Sequence, residues 1–254
     1  MTQYIPRFAL RMAASQADRH AAQRLRHRVF VEEGGVRGGG ESCPASGIEA
    51  DRFDRFCDHL LLYDVLHGTE PIGTARLMDP EGAERAGGYA TEEEFDLSRL
   101  RASGRRLMEV GRVCLLPEHR GSLAMHRLWQ GLAALVEARR IDILIGLASL
   151  PGERPEAMRE MLACLRRDRL APETMRPLSR RPVPMDPEPD APIDRRAAIL
   201  AMPPLLKAYL RLGARVGEGG YHDPDFRCID VCVVLEAEGI GERERAIYGG
   251  ARPA

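Results

Sequence analysis

LMEVGRVCLLPEHRGSLAMHRLWQGLAALVEARRIDILIGLASLPG, residues 107–152, is the stretch on which the fold turns. Leu107–Leu116 reads as a central strand interrupted at Gly111. Met125, Leu128, Trp129, Leu132, Leu135 and Val136 then recur at helical spacing, one apolar stripe from about residue 122 to 139. Ile143–Leu150 reads as a buried strand, and Pro151-Gly152 ends it.

Working outward toward the N-terminus, Phe8–Met12 predicts a first strand and Ser15 a helix cap. The glycines at 34, 35, 38, 39 and 40 stop that helix near Glu33. Residues 34–47 read as a loop. His59–Leu66 and Ile72–Met78 read as strands joined by a turn at His67–Pro71, and 91–103 as a short helix capped by Thr91. Toward the C-terminus the expectations are a helix at 153–166, an irregular proline-rich insertion at 167–196, helix over Ala197–Gly213, a last strand at Ile229–Leu235 and a loose tail from 239 to 254. One domain spanning 1–254, an α/β chain with a central mixed sheet flanked by helices, accounts for this order.

Composition sets the outer limits. A formal net charge of -1 gives no reason to expect global attraction to nucleic acid or to an anionic membrane. Lys207 is the sole lysine, so a run of arginines means less here than in an ordinary chain. No apolar run reaches the roughly 18 residues of a spanning helix, and the N-terminus does not resemble a secretory signal. The cysteines are scattered, without a CxxC pair, and read as cytosolic thiols; Cys228 and Cys232 share a strand face but make a poor metal site. The expected compartment is cytoplasmic and the expected metal is none.

Three clusters carry potential chemistry. Arg26 and Phe30 lie four apart in the first helix, followed by Glu49, Asp51, Asp54 and Asp58-His59. Arg76 sits in one strand and Glu109 and Arg112 in another. Arg120-Gly121-Ser122 opens the striped helix. Glu109 and Arg112 cannot share a face of a regular strand, which alternates, so a bulge at Gly111 is needed to bring them together. The plain alternative is that the two are structural ions, and that Asp51 and Asp54 form a solvated acidic loop.

Taken in order, these motifs resemble the acyl-homoserine lactone synthases and, more closely, the ornithine N-acyltransferases of ornithine-lipid synthesis. The likeness includes EADRFDRFCDHLL (49–61), EEFDLSRL (93–100), GRVCLLPEHRG (111–121), ASLPG (148–152) and PPLLKAYLRLGA (203–214). It implies the acetyltransferase (GNAT-like) fold and transfer of a 3-hydroxyacyl chain from an acyl carrier protein thioester to the α-amine of ornithine, giving lyso-ornithine lipid. Acyl carrier protein and ornithine are then the partners, no separate cofactor is needed, and the lipid product implies peripheral contact with the inner membrane.

Aminolysis of a thioester needs a neutral amine, whereas ornithine arrives with two ammonium groups. Carboxylates can both bind such a cation and take its proton, which makes Asp51, Asp54 and Glu109 the candidates. Arg26, Arg76 or Arg112 can grip a carboxylate in bidentate fashion, and Phe30 completes the motif of the resemblance. Glu109 is the expected catalytic base and His59 the second choice. No serine sits in a nucleophile elbow, so direct attack is expected. Arg120, Gly121 and Ser122 suit a phosphopantetheine phosphate at a helix start. Leu123 replaces the glycine with which acetyltransferases approach the pyrophosphate of coenzyme A, which favours a carrier-bound donor. The rivals are an acyl-homoserine lactone synthase, which lacks here its tryptophan after the first helix, a coenzyme A-dependent acyltransferase, and a non-catalytic interaction protein.

Overall fold

The fold is that of a computed structural model, which describes residues 7–66 and 68–240. The turn expected at His67–Pro71 therefore lies partly, and the tail from 241 onward wholly, outside the described residues. Contacts gather the rest into two units, 7–82 with 110–140 and 83–109 with 141–240.

In the first unit, β1 (Phe8–Met12) leads to α1 (Gln16–Arg26). Ser15 caps α1 through a reciprocal box: its hydroxyl accepts the Asp18 amide at 3.1 Å, and the Asp18 carboxylate accepts the Ser15 amide at 3.1 Å. The helix does not stop at Arg26 but widens into a π-helical turn over His27–Glu33, closed at Gly34. Strands β2 (Asp58–Asp64) and β3 (Gly73–Met78) follow as expected. β1 pairs antiparallel with β2, Leu10 opposite Leu62, and β2 antiparallel with β3, His59 opposite Arg76.

Strand alternation places α1 and the striped helix on opposite faces. Leu61 and Tyr63 pack with Ala22 of α1, whereas a Cβ on Gly131 would meet Leu10 at 2.7 Å and Leu60 at 3.2 Å. Gly131 thus lets the striped helix sit flush on the sheet. Burying each of these leucines contributes about 1.5–3 kcal/mol.

The chain next forms α2 (Pro80–Ala86), β4 (Phe95–Asp96), α3 (Ser98–Ala102) and β5 (Leu107–Leu115). The single helix expected at 91–103 is therefore replaced by a 3-10 turn, a strand and a short helix. Asp96 explains the break: its carboxylate accepts the Ser98 amide at 2.8 Å, a local turn that competes with helix. β5 gives Leu107–Glu109 to the second unit and Val110 onward to the first. The striped helix, α4 (Leu123–Ala138), belongs to the first unit and starts at Ser122, whose Oγ accepts the Ala124 amide at 3.1 Å.

In the second unit, β5 runs parallel to β6 (Ile143–Pro151), Glu109 opposite Ile145. A 3-10 turn at Pro155–Met158 precedes α5 (Arg159–Arg169), later than the helix expected at 153–166. The proline-rich stretch holds two short strands, β7 (Leu178–Ser179) and β8 (Pro182–Val183), and it is bounded by α5 and by α6 (Arg195–Ala201), so 167–196 is not irregular throughout. β8 ends the strand order, where a proline lacking its N–H is tolerated. After α7 (Pro204–Arg211) come β9 (Arg215–Val216), β10 (Gly220–Asp223) and β11 (Cys228–Glu236). β11 pairs antiparallel with β6, with β9 and with β10, and β10 pairs antiparallel with β8. Parallel and antiparallel ladders together make the mixed sheet that the sequence implies.

Candidate active site

Six charged side chains meet in the first unit. Arg26, from the last turn of α1, is fully buried. It donates Nε to Glu49 Oε2 at 2.5 Å, and Nη1 and Nη2 to the two oxygens of Asp54 at 2.6 and 2.9 Å, while Nη2 also reaches the Glu49 carbonyl at 2.7 Å. Arg76, on β3, donates to Asp51 Oδ1 at 2.6 Å and to Asp54 Oδ2 at 3.5 Å. Arg112 closes the set, with Nε on Glu49 Oε1 at 3.2 Å and Nη2 on Asp51 Oδ2 at 3.0 Å. Three guanidiniums thus face three carboxylates.

Backbone completes the cluster. Gly39 donates its N–H to Glu49 Oε1 at 3.0 Å, and a Cβ there would lie 2.6 Å from the Ala50 carbonyl oxygen, so only glycine lets the loop come this close. Asp51 donates its N–H to Asp54 Oδ2 at 2.9 Å. Burial opposes ionisation of Asp54, but Arg26 and Arg76 outweigh it and hold its carboxyl well below the usual range. Glu49 and Asp51 are lowered in the same way, against burial, by Arg112 with Arg26 and by Arg76 with Arg112.

Arg112 reaches the cluster by an unusual route. The bulge expected at Gly111 falls one residue later, with Arg112 itself at φ 52°. A side chain in the left-handed region costs about 1–3 kcal/mol, and such residues collect at functional sites. Of the arginines proposed to grip a carboxylate, Arg26 and Arg76 are enclosed by their partners, whereas 20% of the Arg112 side chain is exposed. Asp51, at 13%, is the carboxylate of the set that most nearly reaches solvent. Asp54 accepts from Arg26, Arg76 and the Asp51 amide.

Glu49, to which the sequence alone assigns no part, is the hub between Arg26, Arg112 and the glycine loop. Phe30 sits half-buried in the π-helical turn.

His59 is buried on β2, its Nε2 3.3 Å from the Asp54 carbonyl and its Nδ1 without a hydrogen-bond partner among the described residues. Burial, opposed by Asp54 and reinforced by Arg26 and Arg76, pushes it down to about 4. At neutral pH it is an imidazole with little appetite for a proton. In the second unit Glu109 is buried, and its Oε2 accepts the Thr91 amide at 2.8 Å.

At the start of α4, Arg120 clasps Glu33 through Nη1 at 2.5 Å and Nη2 at 2.7 Å and also bonds the Leu115 carbonyl. Gly121 has φ 74°, and Ser122 donates to the His119 carbonyl at 2.6 Å while capping α4. Arg120 and Ser122 thus hold partners within the protein, and Leu123 stands 71% exposed beside them. Elsewhere Asp223, Cys228 and Asp230 bring potential metal-donor atoms within 4.8 Å of one another. Burial and the Asp230 charge drive the Cys228 thiol far up, and its S–H donates to Asp230 at 3.5 Å, so the protonated thiol is already accommodated.

Residues 25–130 match the acetyltransferase (GNAT) domain family. Over 246 residues, 95% of this chain and 94% of the relative, the sequence is 42% identical to an L-ornithine N(alpha)-acyltransferase of Rhodobacter capsulatus. The chain belongs to the L-ornithine N(alpha)-acyltransferase family. It is accordingly an acyltransferase of GNAT fold. Solved structures extend the fold likeness: an N-acyl amino acid synthase from uncultured soil microbes superposes with a TM-score of 0.55 at 14% identity, covering 95% of this chain and 99% of the other. The AHL synthase LasI does so with 0.53 at 13%, covering 97% of each. In this acyltransferase the six-membered charge cluster lies within the stretch that matches the GNAT domain.

Proposed function

We propose that the protein transfers a 3-hydroxyacyl chain from an acyl carrier protein thioester to the α-amine of L-ornithine, giving lyso-ornithine lipid. The observation that carries this reading is the likeness to the Rhodobacter capsulatus enzyme over nearly the whole of both chains. The geometry supports it. Ornithine is an amino acid with a carboxylate and two ammonium groups, and the solvent-reachable members of the cluster are one guanidinium, Arg112, and one carboxylate, Asp51. Arg112 would engage the substrate carboxylate and Asp51 an ammonium, each giving up part of an internal pair for a charge-assisted contact with ornithine.

The amine nitrogen, once deprotonated, attacks the thioester carbon. The C–N bond forms, the C–S bond breaks, and the pantetheine sulfur leaves to be protonated as a thiol. Glu109 is the proton acceptor in this reading, a carboxylate that can both attract the incoming ammonium and take its proton. Gly121, Ser122 and the first amides of α4 would receive the pantetheine phosphate. Membrane localisation of the product and a cytoplasmic site of synthesis belong to the same reading.

Incubating the purified protein with 3-hydroxyacyl carrier protein and ornithine tests it. Mass spectrometry should find Nα-acyl-ornithine, and Glu109→Gln should lower turnover about 10²-fold or more without shifting the thermal melt. Homoserine lactones in place of acyl-ornithine, when S-adenosylmethionine is also supplied, would falsify the reading.

A further inference from the structure

Helix α6 turns its apolar side chains the wrong way for a core helix. Ala198 and Met202 are buried beneath it, while Ile199 is 51% and Leu200 68% exposed. Ala197, Ala201 and Pro204 are exposed around them. Arg196 lies one helical turn before Leu200, hence on the same side of α6. The Lys207 ammonium, from α7, donates to the Leu200 carbonyl at 2.8 Å, which puts the chain's sole lysine at the edge of the apolar patch. Arg211 follows Lys207 by one turn of α7 and is exposed.

Charge decides what this patch fits. Several arginines of the second unit answer to an internal acid: Arg166 and Arg176 to Glu218, Arg167 to Asp186, Arg195 to Asp168. Arg196, Lys207 and Arg211 form no ion pair among the described residues. The acid nearest in sequence, Asp194, caps α6 by accepting the Ala197 amide at 2.9 Å. Two large exposed apolar side chains with cations alongside on α6 and α7 match the boundary between acyl chains and anionic headgroups, where apolar burial and surface potential add.

We propose that α6 and the Lys207–Arg211 side of α7 form a docking surface for an anionic lipid bilayer, with Ile199 and Leu200 entering the headgroup boundary and Arg196, Lys207 and Arg211 facing its phosphates. The inference rests on this surface alone and stands apart from the identity of the substrates. The protein has no helix, among the described residues, long and apolar enough to cross a membrane. A single shallow contact of this size gives reversible binding that lapses at high salt.

Sedimentation of the purified full chain with vesicles tests it. Vesicles of phosphatidylcholine with phosphatidylglycerol should bring the protein down at low salt, and vesicles of phosphatidylcholine alone should do so far less. Ile199→Ser with Leu200→Ser should cut the partition about tenfold, and Arg196→Gln with Lys207→Gln should abolish the preference for phosphatidylglycerol. In each case the melt and the vesicle-free turnover stay as they are. Failure of the unaltered protein to bind, or full binding by both double variants, overturns the proposal. So does a rise in the KM for an acyl carrier protein donor in vesicle-free assays with vesicle binding retained, which would make the patch a carrier-docking face.

Discussion

His59 shows most directly how surroundings set a residue's use. Sequence offered it as a base because histidine usually serves; the structure encloses it beside Asp54, Arg26 and Arg76 and pulls it down to about 4. The consequence for stability has a definite sign. In the unfolded chain the group titrates near 6.5, so between pH 6.5 and 4 the unfolded state holds the extra proton, and stability falls as pH falls through that window. Melts recorded from pH 7 to pH 4 should therefore decline, and His59→Asn should flatten the part of the decline above pH 5. An unchanged slope in the variant would mean that other groups carry the acid sensitivity. Glu109, the other residue expected to act as a base, is buried in the second unit, where its carboxylate accepts the Thr91 amide.

At the scale of elements, α1 and the loop ending at Glu49 are held together by charge as much as by packing. Arg26 is the clamp, with four hydrogen bonds to Glu49 and Asp54. Replacing it by methionine roughly keeps the volume but leaves two guanidiniums facing three carboxylates in a buried place. Arg26→Met should cost about 3–5 kcal/mol, read by urea denaturation, far beyond the 0–1 kcal/mol of an exposed pair. A loss below 1 kcal/mol would show that water reaches the cluster freely. The elements that bind this site were the readable ones. α4 announces itself because six apolar residues keep helical period, and α1 because Ser15 and the glycines mark both ends. β4, β7, β8 and β9 are two residues each, too short for any period to form, and they exist because a neighbouring strand pairs with them. Phe95 and Leu97, both buried, alternate as in a strand, yet the acidic run before them imitates a helix start. The cluster was legible as a set of spaced charges; which of them faces solvent was not, since that depends on the left-handed turn at Arg112, and nothing in the residue type announces it.

For the molecule as a whole, a net charge of -1 conceals an uneven surface. Several arginines near the surface are engaged internally: Arg139 with Asp58 and Asp79, Arg166 with Glu218 and Arg167 with Asp186. Arg140, at the end of α4, remains exposed. We expect acyl carrier protein thioesters to surpass the matching coenzyme A esters, because Leu123 crowds a pyrophosphate and an acidic carrier is drawn to such positions. Raising salt should narrow the difference through KM and leave kcat alone, since screening acts over a Debye length of about 8 Å at physiological ionic strength. Equal use of both donors at every salt concentration would remove carrier docking from the account. The balanced cluster around Arg26 has a further consequence, for descent. Any single change among its six members leaves a charge stranded, so the path from one working arrangement to another runs through a crippled intermediate unless two positions alter together. Drift at this site is thereby slowed by the geometry itself, and the cluster can outlast changes of substrate in the lineages that inherit it.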